Sequence, residues 1–201
     1  MLAGNALVLA VFEAGVPCFG SCWGMQVAVT ATGGRVRPNP RGREFGFARR
    51  IVLNEAGRAH AMYRGKPAVF EAVTVHRDDI EQLPPGAIEL AANDMGLQAL
   101  ELRHGRGIFW GVQYHPEYSC AEIGATALRY APVLLQEGLF EDRAELERFV
   151  AGLRTLNDRP QDPRLCWQHG LGPALQDAAL KLAELRNWLE FLVVPRWQRR
   201  G

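Results

Sequence analysis

The sequence predicts an α/β fold: a mixed sheet flanked by helices, followed by a helical carboxyl-terminal extension. Three observations carry this. Apolar runs of strand length recur at 48–53, 68–75, 97–102 and 107–114, separated by Gly, Pro and Asn turns. Only one interval between strand candidates reads as a clear helix, which argues for a mixed sheet rather than strict strand–helix alternation. After Pro116 the periodicity turns helical and stays so. The expected division is a body over 1–135 and a helical extension over 136–201.

In chain order, residues 6–14 read as a helix, with Gly15 suited to its C-terminal cap. Val16 to Gly20 is a short apolar run, as in a buried parallel strand, with Pro17 tolerated near its start. Trp23 to Thr32 reads as a helix closed by Gly33 and Gly34. Asp142 with Glu145 three residues on predicts a capping-box start. Leu146, Phe149, Val150 and Leu153 then form one apolar face. Past a Pro-rich break at 159–163, a second amphipathic helix is expected from Pro173. Its stripe would be Leu175, Ala178, Ala179, Leu182, Leu185, Leu189 and Leu192.

Composition excludes classes without choosing a function. The 201 residues are 48% hydrophobic and 22% charged, an ordinary globular balance. A net charge of +1 gives no reason to expect nucleic acid or an anionic membrane as partner. No apolar run approaches the ~20 residues of a membrane span, and no signal-peptide pattern opens the chain. Cys18, Cys22, Cys120 and Cys166 have neither the density of a disulfide framework nor zinc-site spacing. The expected compartment is the cytoplasm, with no metal and no cofactor.

The informative segment is Gly20-Ser21-Cys22-Trp23-Gly24-Met25-Gln26, between a strand and a helix. It has the G-x-nucleophile-x-G form of a nucleophile elbow. A sharp strand-to-helix turn strains the nucleophile's backbone, and side chains two positions either side are expected to collide, so both are glycine. Cys22 at a helix N-terminus would face the positive end of the dipole. The Trp23 backbone N–H would point at the oxyanion formed when the thiolate attacks a carbonyl. A thiolate needs a base, and the base an orienter. Gly111-Val112-Gln113-Tyr114-His115-Pro116-Glu117 offers His115 and Glu117 at the end of a buried strand, with Pro116 forcing an extended turn between them. Cys18 and Cys120 are expected to be packing residues.

Phe19 to Gln26 and Gly111 to Glu117 closely resemble the signatures of class I, triad-type glutamine amidotransferases, nearest to the amidotransferase domain of GMP synthase. Glu44-x-Gly46, Val75-His76-Arg77-Asp78 and Leu83-Pro84 match in order and approximate spacing, so that the resemblance covers about residues 6–135. It implies a flavodoxin-like sheet and a Cys22–His115–Glu117 triad that hydrolyses the glutamine side-chain amide through a thioester, releasing ammonia. It also implies that Gln26 contacts the substrate, with the backbone near His76 and Arg77 holding its α-amino and α-carboxylate groups. No synthetase motif is present, so the ammonia acceptor would lie on another chain.

The family domain normally carries about two strand–helix units ahead of the elbow helix, with a Gly-rich loop that donates a second oxyanion N–H. Only 21 residues precede Cys22 here, and that loop is missing. The expectation is an amino-terminally shortened member whose uncovered sheet edge favours a homodimer, and whose rate suffers ~10²–10³ from one lost donor. The alternatives are an impaired interaction module and a γ-glutamyl peptide hydrolase. Arg196, Arg199 and Arg200 are expected to be a solvated basic end, and Trp188, Phe191 and Trp197 to pack on the body.

Overall fold

The computed structural model describes residues 2–199. Helix α1 (Leu2–Glu13) begins four residues earlier than expected and ends at Gly15, whose φ of +65° is open to glycine at little cost. Strand β1 (Cys18–Ser21) runs into α2 (Trp23–Ala31) with Cys22 as the single residue between them. There follow β2 (Arg35–Pro38), β3 (Glu44–Leu53), α3 (Glu55–Ala59), β4 (Val69–His76), β5 (Asp78–Gln82), β6 (Ala87–Asn93), β7 (Gly96–His104) and β8 (Gly107–Val112). Strands β2, β5 and β6 escape the apolar-run criterion because they are short, polar or alanine-rich. They are strands because a partner pairs with them.

The main sheet has the order β1-β8-β7-β6-β3-β4, and β2 pairs with β5 in a separate antiparallel ribbon. The mixed sheet is as expected: β1 and β8 are parallel, while every other pair in it is antiparallel. The parallel register Ser21↔Val112 sends both chains off the same end of the sheet, and this is what brings Cys22 and His115 together.

Helices cover both faces. Phe12, Met25, Leu100, Leu102 and Phe109 form the core under α1 and α2. Trp110, Val112 and Tyr114, alternating to the opposite face, join Ile51, Phe70 and Leu90 in a second core. A register shift between Ala48 and Ile51 turns β3 over, so Phe47 packs on one face and Ile51 and Leu53 on the other. Arg50, at φ +51°, sits in that bulge.

After the turn at Pro116 come α4 (Cys120–Arg129), α5 (Ala131–Gln136) and α6 (Arg143–Asp158). Asp142 caps α6 through the Glu145 N–H, but the Glu145 carboxylate accepts from Glu141 rather than from Asp142, so the reciprocal half of the expected box is not made. Leu146, Val150 and Leu153 are buried as the periodicity demands. Leu153 shares a core with Phe47, Val73 and Ile123, which ties α6 to the sheet, while Leu146 and Val150 pack with Ala127, Ala131 and Leu134 of α4 and α5.

The expected long helix from Pro173 is corrected. The chain instead forms α7 (Pro163–His169), then α8 (Pro173–Gln176), α9 (Ala178–Lys181), α10 (Ala183–Trp188), a π-turn over Leu189–Val193 and α11 (Val194–Gln198). Its buried side chains are Ala174, Ala183, Glu184 and Asn187, while Leu182 and Leu189 are exposed. Breaks at Asp177 and Leu182 reset the helical phase, so the leucine stripe never forms one face. Trp188 and Phe191 pack on the body as expected, but Trp197 is 78% exposed. Arg196 donates to the Gly15 carbonyl and is not the free end anticipated; Arg199 is exposed, and Arg200 lies outside the described residues. Among the described residues no helix is long and apolar enough to cross a membrane.

Candidate active site

Cys22 sits at φ +49°, ψ −107°, a conformation that L-residues rarely adopt and one of only two positive-φ non-glycines among the described residues. It is held there from both sides. Its N–H donates to the Val112 carbonyl at 2.8 Å, and its carbonyl accepts from the Gln26 N–H at 3.2 Å. The strain presents the thiol at the mouth of the sheet instead of burying it. Gly20 answers the expected steric demand: a Cβ there would lie 2.6 Å from Phe109 Cζ and 3.0 Å from the Gly24 backbone. Gly24 does not, since a Cβ at that position meets nothing within 4 Å, and the expected collision on that side is corrected. Trp23 is the first residue of α2, so its N–H has no carbonyl within the helix to bond.

His115 follows β8 by three residues, at the end of the sheet where Cys22 follows β1. Its Nδ1–H donates to Glu117 Oε1 at 2.7 Å, and its ring lines the same cavity as Cys22, whose thiol donates to the Val75 carbonyl at 3.5 Å. Ser21 also donates to Glu117 Oε1, at 2.9 Å, tying the orienting carboxylate to the end of β1. Burial disfavours the His115 cation. The adjacent Cys22 and Glu117, with their charges, outweigh it and lift the pKa to about 9. Burial likewise works against the Glu117 carboxylate, but the His115 and Ser21 hydrogen bonds hold it below the usual carboxylate range. Tyr118 stacks on the imidazole, with centroids 4.1 Å apart and planes 13° from parallel. The sequence carried a hint of this residue only in its position next to Glu117.

These groups open into a cavity of about 380 Å³ lined by Cys22, Gln26, His76, Arg77, Tyr118 and Arg129, among others. Gln26 donates to the Asp78 carbonyl and to Gln113 Oε1, at 3.4 and 3.3 Å, so its side chain is set across the cavity. The His76 ring is engaged elsewhere, with Glu44 at 2.8 Å and the Asp78 carbonyl at 2.9 Å, while Gln98 and Asn93 complete the shell around Glu44. This buried polar cluster fixes the β4–β5 turn, and Glu44-x-Gly46 and Val75-His76-Arg77-Asp78 were its traces in the sequence. Arg77 donates to the Asn39 carbonyl at 2.6 Å. The turn Val75 to Asp78 lines the cavity. Among the described residues no group of three His, Cys, Asp or Glu side chains is placed to hold a metal ion. Cys120 and Cys166 pack in the core around α6, Cys18 packs under α1, and burial raises all three thiols.

Comparison with known proteins gives a consistent result. Residues 4–131 match the family model described as glutamine amidotransferase class-I. A Pseudomonas protein named gamma-glutamyl-L-1-hydroxyisopropylamide hydrolase is 34% identical over 94% of this chain and 65% of its own length. The GMP synthase of Thermomicrobium roseum is 38% identical over 59% of this chain, but only 21% of its own length. This chain thus spans about two thirds of the first relative and a fifth of the second. Among solved structures, glutamine amidotransferases from Methylobacillus flagellatus and Thermotoga maritima superpose with TM-scores of 0.66 and 0.59. They are 21% and 18% identical, cover 96% and 94% of this chain and match 70% and 68% of their own, which is a likeness of fold. With the elbow, the parallel β1–β8 register and the matched family model in agreement, the chain belongs to the class I glutamine amidotransferase family.

Proposed function

We propose that this chain hydrolyses a γ-glutamyl amide bond through a cysteinyl thioester. The observation that carries the reading is the strained Cys22 sharing one cavity with an imidazole whose Nδ1 meets Glu117 at 2.7 Å. In this reading the Cys22 thiolate attacks the γ-carbonyl and the Trp23 N–H stabilises the resulting oxyanion. Protonated His115 then gives its proton to the departing amine. It next takes a proton from the water that cleaves the thioester, returning glutamate and the free thiol. Glu117 holds the imidazole tautomer and stabilises its cation. Gln26 and the backbone at His76 and Arg77 position the glutamyl group, and Arg43, Arg77 and Arg129 around the cavity suit its α-carboxylate.

Glutamine is the first substrate, its ammonia passing to an acceptor or synthetase on another chain. One observation favours a second reading, a γ-glutamyl alkylamide. Likeness to the Pseudomonas hydrolase runs over 94% of the chain and so includes its carboxyl-terminal helices, whereas the Thermomicrobium GMP synthase matches 59%. The test is to offer glutamine and γ-glutamyl-isopropylamide separately and measure ammonia, isopropylamine and glutamate, with Cys22→Ala as control. Preferential ammonia release supports the first reading and preferential isopropylamine release the second. If neither amide is cleaved, the enzymatic proposal fails and an interaction module takes its place.

A further inference from the structure

Helix α10 touches the segments that deliver the candidate catalytic pair, Phe19 on β1 and Tyr114 just past β8. Glu184 is fully buried, and its Oε1 accepts from Lys66 Nζ and from the Tyr114 hydroxyl, each at 2.5 Å. Tyr114 in turn accepts from the Tyr63 hydroxyl at 2.9 Å, its own proton being committed to Glu184. Lys66 is 2% exposed and lies 4.4 Å over the Phe70 ring. Glu184 Oε2 has no partner among the described residues, so the carboxylate bonds through one oxygen aimed at the tyrosine and the lysine. One turn on, the Trp188 ring lies 6.2 Å from Phe19, three residues before Cys22. A buried ion pair is poor value as a source of stability, since apolar side chains of the same volume would serve as well. This one touches the residue directly before His115.

We propose that Glu184 is a positioning residue that, through Tyr114, sets where His115 stands against Cys22. This rests on reading Cys22 and His115 as nucleophile and base. Tyr114 and His115 are consecutive residues just past β8, the tyrosine buried in the core and the histidine lining the cavity, and the His115 N–H donates to the Val73 carbonyl at 2.8 Å. Anchoring the Tyr114 ring through Glu184 therefore restricts the backbone that carries the imidazole. The carboxyl-terminal helices thereby become part of the machinery rather than an appendage.

The test uses the full chain with three changes: Lys66→Met with Glu184→Leu, which removes the ion pair without stranding a buried charge; Tyr114→Phe; and all three together. Asn187→Ala is the control. Asn187 docks α10 through the Met62 and Arg64 carbonyls, both at 2.9 Å, without touching Tyr114. Two readouts are followed: kcat and KM on whichever amide is cleaved, and the pH profile of Cys22 alkylation by iodoacetamide, which needs no substrate. The ion-pair variant and Tyr114→Phe should each lower kcat about tenfold, with KM within about twofold of the parent. The upper inflection of alkylation should move from about 9 toward the usual histidine value. Combining the changes should cost no more than the worse of the two, because they act along one line. Asn187→Ala should lower the thermal midpoint and leave kcat and the inflection in place. Unchanged kcat and inflection in the ion-pair variant, or equal losses in Asn187→Ala, would overturn the proposal. If the ion-pair variant does not fold, Tyr114→Phe decides alone by the same criteria. Should no amide be cleaved by the parent, the alkylation profile still decides the positioning role, and only the functional reading falls.

Discussion

Cys22 carries backbone strain, while His115 shares a 2.7 Å hydrogen bond with Glu117 and has a raised pKa. A diazo-ketone glutamine analogue should alkylate Cys22, leaving Cys18 and Cys120 unlabelled because burial raises their thiols. Peptide mass mapping checks this, and a label on either of the others would remove Cys22 as the nucleophile. His115→Ala should lower turnover more than Glu117→Ala, since an orienting carboxylate is worth less than the base it holds; the reverse order in kcat would give Glu117 another role. The pH dependence of stability follows from the same bonds. The folded His115 pKa of about 9 exceeds its ordinary value of 6.5, so the protonated ring stabilises the fold fully below pH 6.5. That contribution declines as pH rises from 6.5 through 9. Urea midpoints should fall across this window, and His115→Ala should flatten the slope.

The elbow shows how strand and helix share one steric problem unequally. Gly20 is required because β1 passes against the Phe109 ring, 2.6 Å from where its Cβ would lie. Gly24, on the first turn of α2, faces open space. Gly20→Ala should therefore destabilise the fold by ~1–3 kcal/mol, as overpacking does. Gly24→Ala should be neutral or stabilising by up to ~1 kcal/mol, since alanine loses less backbone entropy in a helix. Thermal melts of the two variants give the comparison. Equal losses would mean that the open side of the elbow is closed in solution.

For the molecule as a whole, β1 is the edge of the sheet, and α10 packs beside it through Trp188 against Phe19. Helix α6 is built into the core through Leu153, which is fully buried with Phe47, Val73 and Ile123. Body and extension should accordingly unfold together in one calorimetric transition. Leu153→Ala should move that whole transition, at a cost of ~2–5 kcal/mol. Two transitions, with only one of them shifted, would instead make 136–201 a separate folding unit.

Local chemistry accounts for what the sequence determined by itself. An elbow needs glycine beside its nucleophile, a helix needs its cap, and the i, i+3, i+4, i+7 face of α6 needs only its own residues; Gly20, Gly15 and Leu146 were legible for that reason. His115 and Glu117 stood out because His-Pro-Glu after a buried strand occurs in the same chain as a cysteine elbow, and the structure places them in contact at 2.7 Å. Tertiary structure decided the rest. Strands β2, β5 and β6 exist through their partners and carry no strong propensity. The segment from Pro173 breaks where the helical phase must change to seat Ala183, Glu184 and Asn187 against the sheet. Glu184 and Tyr114 are 70 residues apart. A carboxylate on a helix reads as solvated until packing removes the water and leaves a tyrosine and a lysine as its partners.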